Sequence, residues 1–185
     1  MAVRWNMHTL TLALTISLIL MINGTSIEDL KEFLLGKKIW VKYRTYPRPL
    51  YIGRTCTSYE PTKVVTGQYH IIRRYKSFDT WSKETLKGYL NQRKGKGSSP
   101  PILELWSNYG EDDVYKMIYW NHGDRCAVMK RGKDQCEVFQ WGKYIDTSRT
   151  FCDLECEKRC GYYKDEIYSE SCQGASKRKE PWELW

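Results

Sequence analysis

The sequence predicts a mainly β fold, an eight-stranded antiparallel barrel with one short helix before it and another after it. Eight runs of residues have the alternating, β-branched or aromatic pattern of strands. Most connections between them are short and contain turn-forming residues, which favours an antiparallel meander. Closing the meander into a barrel removes exposed strand edges, so a closed barrel is the expected architecture.

The first 24 residues have the features of a secretory signal peptide. Arg4 precedes an apolar run over residues 10–22, and small residues follow that run. The run is shorter than the roughly 20 apolar residues that span a bilayer, so we expect cleavage between Gly24 and Ser26. The product is expected to be secreted and extracellular, with no membrane contact after cleavage. The sequon at Asn23 would leave with the signal.

The remaining chain has the length of one domain. About 160 residues can enclose a single core but are too few for two independent ones. We assign residues 27–172 to this domain and residues 173–185 to a polar tail of low order. The whole chain has a formal net charge of +8. A basic surface is compatible with an anionic polysaccharide, an anionic lipid, an acidic ligand or simple solubility, and charge alone does not separate them.

A short helix and eight strands are predicted in order along the domain. Ser26 has the character of a helix N-cap, acidic residues occupy the first turn, and Gly36 ends the helix. The strand-like runs occupy residues 38–46, 51–59, 64–76, 80–91, 102–106, 114–121, 125–130 and 136–141. Turn-forming residues separate them, among them Glu60 and Pro61 after the second run. The long link over residues 94–99 is expected to be a solvated loop.

A second helix is predicted after the last strand. Residues 153–160 are compatible with a helix, and Gly161 suits its C-terminal cap. Cys152, Cys156 and Cys160 are spaced by four, which places all three on one face of this helix. That face can be attached to the barrel wall by disulfides.

The cysteines indicate an oxidising compartment. All 7 follow the signal, at positions Cys56, Cys126, Cys136, Cys152, Cys156, Cys160 and Cys172. Most should be paired in a secreted protein, and the odd number leaves one thiol that is free, mixed with a small thiol, or joined to another chain. No metal site is expected, because the spacing lacks a Cys-x-x-Cys pair and a nearby histidine.

The residues that catalysis needs are scarce. After the signal the sequence contains two histidines, His70 and His122, and neither belongs to a hydrolase, metalloprotease or phosphate-binding motif. No pair of carboxylates stands out as an acid and a base. We therefore expect a protein that is not an enzyme and that uses no cofactor.

Aromatic residues are abundant, with 8 Trp and 14 Tyr. They alternate with charged residues in several of the strand runs. Every second side chain of a barrel strand points inward, so such strands can line a cavity that binds a small ligand. The same rings can instead fill the core or cover the outside. Nucleic acid is not an expected partner, because the protein is secreted.

Several short motifs follow one another in a characteristic order and spacing. They are Tyr43-Arg44-Thr45-Tyr46, Cys56, Cys126-Ala127-Val128, Cys136-Glu137-Val138, Cys152, Cys160-Gly161 and Cys172. Together they resemble the salivary lipocalins of ticks, the family that includes histamine-binding proteins, over almost the whole mature chain. The resemblance implies a lipocalin-type barrel with a short N-terminal helix and a C-terminal helix packed outside, which agrees with the strand pattern.

The resemblance also implies a disulfide pattern. The implied pairs are Cys56 with Cys172, Cys126 with Cys152, and Cys136 with Cys160. Cys156 is then the unpaired thiol. We expect a monomer, with a disulfide-linked dimer through Cys156 as the alternative.

Members of this family sequester host mediators, and the resemblance implies capture of a biogenic amine such as histamine or serotonin in the barrel cavity. An ammonium group needs a buried carboxylate and aromatic rings. Glu137 with Trp141 is the best local match to the family's amine site, and Asp112 or Asp113 could add a second acid. The other expected ligand contacts are Tyr43, Arg44, Tyr46 and Tyr119.

Two other functions stay open at this point. A fatty-acid-derived mediator such as a leukotriene or thromboxane would suit Arg44, Arg73 or Arg74 in the cavity, because a guanidinium can clamp a carboxylate. Other family members bind host proteins, so an inhibitor of complement or haemostasis, or an anionic-glycan binder, is the third possibility. An open polar cavity would favour a scavenger, whereas a filled barrel with an exposed basic aromatic patch would favour the third function.

Overall fold

The fold was obtained as a computed structural model. The structure describes residues 25–47, 53–78, 80–93, 99–108 and 112–173. The expected signal peptide, most of the expected polar tail and most of the basic loop over residues 94–99 lie outside these ranges. No helix in the described ranges is long and apolar enough to cross a membrane.

Strands make up most of the described chain. Helix α1 spans Ile27–Phe33 and helix α2 spans Phe151–Cys160. The nine strands are β1 (Ile39–Arg44), β2 (Arg54–Val65), β3 (Gln68–Ser77), β4 (Thr80–Asn91), β5 (Ile102–Ser107), β6 (Asp112–Asn121), β7 (Cys126–Arg131), β8 (Gln135–Trp141) and β9 (Asp165–Glu166). Short 3-10 turns at Gly142–Tyr144 and Glu170–Gln173 complete the regular structure.

The first eight strands form a closed antiparallel barrel. Each of β2 to β7 pairs with the next strand in the chain, and β8 pairs with β1. The barrel closes because β1 also pairs with β2, where Ile39 lies opposite Tyr59 and Trp40 lies opposite Ser58. The two-residue strand β9 pairs with the second half of β1. The predicted eight-stranded barrel with two flanking helices is therefore confirmed.

One predicted turn is wrong. Glu60 and Pro61 lie inside β2, and the chain reverses five residues later at Thr66 and Gly67, both of which have positive φ. The proline is tolerated because the pairing of β2 with β3 shifts register between Pro61 and Lys63, and a bulge removes the need for a regular ladder hydrogen bond there. The third strand consequently begins at Gln68, later than its predicted start. Most other strand limits lie close to their predicted positions.

Helix α1 closes one end of the barrel. The predicted N-cap is present, since Ser26 accepts a hydrogen bond from the Asp29 amide at 3.1 Å and Asp29 accepts one from the Ser26 amide at 2.7 Å. The Phe33 ring packs edge-on against Trp120 and Phe139 inside the barrel. The Trp141 indole donates to the Phe33 carbonyl at 2.9 Å. The apolar face of this short helix is therefore buried as part of the core.

Helix α2 packs on the outside of the barrel against β6, β7 and β8. A second capping box begins it, formed by Thr150 and Asp153. The disulfides join Cys126 to Cys152, Cys136 to Cys160 and Cys56 to Cys172, the pairs that the resemblance implies. The first two bonds attach α2 to adjacent strands β7 and β8. The third attaches the end of the domain to β2.

The free thiol of Cys156 is expected to be unreactive in the folded protein. Its side chain is fully buried between α2 and the barrel, and burial raises the pKa of the thiol to about 11. Maleimide should therefore label no thiol in the native protein and one thiol after denaturation, and Cys156→Ser should abolish that label. Non-reducing electrophoresis should show a monomer. Rapid native labelling, or a reducible dimer, would contradict this burial.

Asp153 is expected to stabilise α2 in a pH-dependent way. It lies 2.9 Å from the Lys42 ammonium, and although burial raises the pKa of Asp153, hydrogen bonds from Lys42 and Thr150 lower it below its usual value overall. Asp153→Asn should therefore cost about 1.5–3 kcal/mol in free energy of unfolding at pH 7. Because the folded pKa is the lower one, this cost should shrink as the pH falls below about 4.

Urea denaturation followed by circular dichroism measures both quantities. Glu155→Gln on the same helix is the control, since its ion pairs with Lys158 and Arg159 are on the surface and should contribute under about 0.5 kcal/mol. A cost for Asp153→Asn that stayed constant from pH 7 to pH 2 would show that the carboxylate charge is not its cause.

Candidate functional site

The half of the barrel interior next to α1 is apolar and filled. Its side chains include Leu30, Phe33, Ile39, Val41, Ile71, Leu86, Leu103, Leu105, Met117, Ala127, Met129 and Phe139. A cavity of about 10 Å³ remains between them. This volume holds about one water molecule, so the described apolar half leaves no space for an organic ligand.

The opposite half contains a cluster of charged and phenolic side chains. We call it the mouth cluster, and its members are Arg44, Tyr46, Tyr59, Arg73, Glu84, Asp113, Tyr115, Arg131 and Glu137. The ends of β1, β3 and β7 meet the starts of β4, β6 and β8 at this end of an antiparallel barrel. The cluster therefore lies beneath the barrel end that faces away from α1.

Arg73 is the centre of one part of the mouth cluster. Its Nε lies 2.5 Å from Glu84 Oε1, and its Nη1 lies 2.6 Å from Asp113 Oδ2. The other oxygen of Asp113 lies 2.5 Å from Arg131 Nη2. Although burial lowers the pKa of Arg73, Tyr59 and the two carboxylates raise it, so the guanidinium stays charged. These four charged groups form one tightly bonded network.

Glu137 is the centre of the second part, and it is held differently. Its side chain is 2% exposed, Tyr46 donates a hydrogen bond to Oε1, and Tyr115 donates one to Oε2 at 3.3 Å. The nearest cation in the described structure is Arg44, whose Nε lies 3.7 Å from Oε1, too far for a hydrogen bond. Burial, followed by the nearby Glu137 charge, raises the pKa of Tyr46, so this phenol remains a donor.

A bulge in β1 determines which side chains reach this cluster. Val41 lies opposite Phe139, but Tyr43 lies opposite Val138, so one extra residue of β1 is inserted between the two pairs. Beyond the bulge Arg44 lies opposite Glu137 and points inward with it. Tyr43 is turned outward, where it packs with Val138 and Cys156 under α2.

The structure brings together three of the six expected ligand contacts. Arg44, Tyr46 and Glu137 meet in the mouth cluster. Trp141 points inward like Glu137, but it lies four residues farther along β8, roughly 13 Å away, beside α1. Tyr43 and Tyr119 both lie outside the barrel against α2.

The other charged candidates divide according to strand phase. Asp113 and Arg73 are inward-facing members of the mouth cluster. Arg74 points outward and pairs with Glu60 at 3.2 Å. Of the two adjacent arginines named for a lipid carboxylate, Arg73 faces the barrel interior and Arg74 does not, because neighbouring residues of a strand point to opposite sides.

Sequence reasoning did not assign Glu84, Arg131, Tyr59 or Tyr115 to the site. Glu84 could have been found from the short turn between β3 and β4, because pairing Ser77 with Thr80 places Arg73 directly opposite Glu84. Arg131 could have been found in the same way, because a short turn pairs it with Gln135 and places Met129 opposite Glu137. Tyr59 and Tyr115 belong to strands whose pairings contain bulges. No local pattern identifies them.

Comparisons with known proteins support the fold. No family model matches the sequence, and no curated protein is similar to it. Among solved structures, the chain is similar to japanin from Rhipicephalus appendiculatus bound to cholesterol, with 15% sequence identity and a TM-score of 0.50. The match covers 72% of this chain and 94% of that one. At this identity the likeness shows a shared lipocalin-type fold.

Because Arg73 points inward and Arg74 points outward, replacing them should reduce the free energy of unfolding by very different amounts. Arg73→Met would remove the cation bonded to Glu84 and one of the two bonded to Asp113, and should cost about 3–5 kcal/mol in free energy of unfolding. Arg74→Met removes a half-exposed ion pair and should cost under about 1 kcal/mol. Denaturant titration of both variants measures the difference. Similar costs for the two would place Arg73 outside the buried network.

Proposed function

We propose that this protein is a secreted lipocalin that sequesters a small organic cation, a biogenic amine such as histamine or serotonin, at the mouth cluster. The observation that carries the proposal is the Glu137 carboxylate, which is buried and has no cation within hydrogen-bonding distance in the described structure. The proposal does not involve catalysis. The expected compartment follows from the disulfides, which are typical of exported proteins.

A buried carboxylate is costly unless a cation compensates it. Two phenols already solvate Glu137, but neutral donors do not balance its charge. An ammonium group beside Glu137 would supply a charge-assisted hydrogen bond. Tyr115 and Phe139, whose rings lie 5.5 Å apart, provide aromatic surface next to it. The proposal thus keeps Glu137 as the carboxylate of the amine site. Tyr46 and Tyr115 take the role of aromatic neighbour that the sequence analysis assigned to Trp141.

The position of Arg44 allows an amine to enter. Arg44 is the last residue of β1, its side chain is 13% exposed, and it contacts the Tyr46 ring at 5.4 Å. Moving this guanidinium outward would free one side of Glu137 while keeping the arginine charge in water. The ligand would then replace Arg44 at the carboxylate, and the filled apolar half would not need to open.

A second candidate, an acidic lipid mediator, is favoured by a separate observation on the same pair. Arg44 Nε is buried and makes no hydrogen bond to any described group. A fatty-acid carboxylate could accept that bond, and a guanidinium suits this role. The similar structure, japanin, was solved with cholesterol, a lipophilic molecule. A lipid chain would however require the packed apolar half to rearrange, which ranks this candidate below the amine.

Calorimetric titration of the refolded mature protein with histamine, serotonin and a leukotriene tests both candidates. If an amine binds, Glu137→Gln should weaken it by about 10- to 100-fold, the range for losing a charged hydrogen bond. Arg44→Ala should leave amine affinity unchanged or improve it, because the competing cation is gone. Glu104→Gln, which removes the same charge from the outer side of β5, is the control and should have no effect.

The outcomes separate the candidates clearly. Leukotriene binding that is lost in Arg44→Ala and retained in Glu137→Gln would replace the amine proposal with the lipid one. Binding of an amine that is equally strong in Glu137→Gln would exclude the carboxylate as its site. Absence of binding by all three mediators would overturn both.

A further inference from the structure

A broad part of the outer barrel wall carries basic side chains. Helix α2 packs against β6, β7 and β8 but leaves Lys116 exposed and Lys130 half-buried, and no described helix packs on the outside of β3, β4 or β5. We define the basic wall by its outward-facing cations, Arg74, Lys83, Lys87, Lys116 and Lys130. They run from β3 across to β7, four strand spacings or roughly 19 Å. This surface is separate from the inward-facing mouth cluster.

Like charges lie directly opposite one another on this wall. Lys83 pairs across strands with Arg74, and Lys116 pairs with Lys130. Directly opposed like charges destabilise a sheet. Arg74 is partly compensated by Glu60 at 3.2 Å, whereas Lys116 and Lys130 form no ion pair with a described carboxylate. The remaining repulsion is unfavourable for the isolated protein, and a bound polyanion would relieve it.

The lysines of the wall also differ from the basic residues around α2 in lacking acidic partners. Arg149, Lys158, Arg159 and Lys164 around α2 each form an ion pair with Glu155 or Glu157. In contrast, Lys83, Lys87, Lys116 and Lys130 form no ion pair with any described carboxylate. These four lysines therefore carry positive charge that no described ion pair neutralises.

Exposed aromatic rings lie among these cations. Trp81, Tyr89 and Trp106 are 46%, 40% and 48% exposed, respectively. Tyr89 and Trp106 meet edge to face at 6.4 Å, and Trp106 lies directly opposite Lys87 across the strand pair. Flat, half-exposed rings beside cations give a surface with both apolar platforms and charge.

We infer that the basic wall binds a sulfated polysaccharide. The lysines and arginine would pair with sulfate and carboxylate groups, with release of counterions as in other polyanion complexes. Sugar rings would stack on Trp81 and Trp106. The convex barrel wall suits a flexible linear chain better than a bilayer, which would touch a cylinder only along one line. Such binding would retain the secreted protein on an extracellular matrix while the mouth cluster holds its ligand.

The test is heparin affinity chromatography and surface plasmon resonance with the full mature protein. Lys83→Ala, Lys87→Ala and Lys116→Ala combined should weaken heparin binding at least about tenfold and reduce its dependence on salt concentration. The matched control combines Lys133→Ala, Lys143→Ala and Lys158→Ala, three exposed lysines away from the wall, and removes the same charge. This control should weaken binding by less than about threefold.

Additional controls identify the chemical class of the partner. They also show whether heparin binding is independent of the mouth cluster. Neutral dextran should not bind, and Trp106→Ala should weaken binding to heparin without altering the salt dependence. Glu137→Gln should leave heparin binding unchanged whether or not an amine binds. Equal losses in the two lysine variants, no heparin binding by the unmodified protein, or binding restricted to phosphatidylserine vesicles would each overturn the inference.

Discussion

The pairing of β1 on both of its edges is the constraint on which the rest of the structure depends. β1 pairs with β8 along its length and with β2 through Ile39 and Trp40, and this second pairing closes the barrel. Closure gives every strand an inside and an outside. The bulge in β1 then sets the phase at the mouth, so that Arg44 turns in and Tyr43 turns out. A shift of one residue in this register would place Tyr43 inside the barrel and Arg44 outside.

Three environments result from this closure. The end beside α1 is apolar and packed, because inward positions there are occupied by aliphatic and aromatic residues. The other end collects three arginines and three carboxylates that compensate one another, apart from the loosely matched Arg44 and Glu137. The outside is divided between the surface around α2, where basic residues pair with Glu155 and Glu157, and the basic wall, where four lysines form no described ion pair. Each proposed binding surface is a place where charge compensation is incomplete.

The parts of the barrel that stabilise the fold are separate from the end that holds the proposed ligand site. Disulfides hold α2 against β7 and β8, and Trp141 holds α1 at the closed end, so the scaffold is rigid on both of these sides. The weakly bonded Arg44–Glu137 pair lies at the end that neither helix covers. A buried but imperfectly satisfied polar pair costs stability. That cost is compatible with a site that a ligand completes.

The sequence by itself determined the fold class, the N-cap of α1, the C-cap of α2, most strand limits and the side-chain chemistry available to a site. These are local properties, because strand alternation, turn residues and capping motifs act within a few positions of one another. It did not determine which residues meet. Glu137 and Arg44 were identified but were grouped with Trp141, Tyr43 and Tyr119, which the folded chain separates, and the Glu60–Pro61 turn was misplaced because a bulge accommodates the proline. Inside and outside are decided by bulges and closure, which depend on distant strands and reverse the side-chain phase with a shift of one residue.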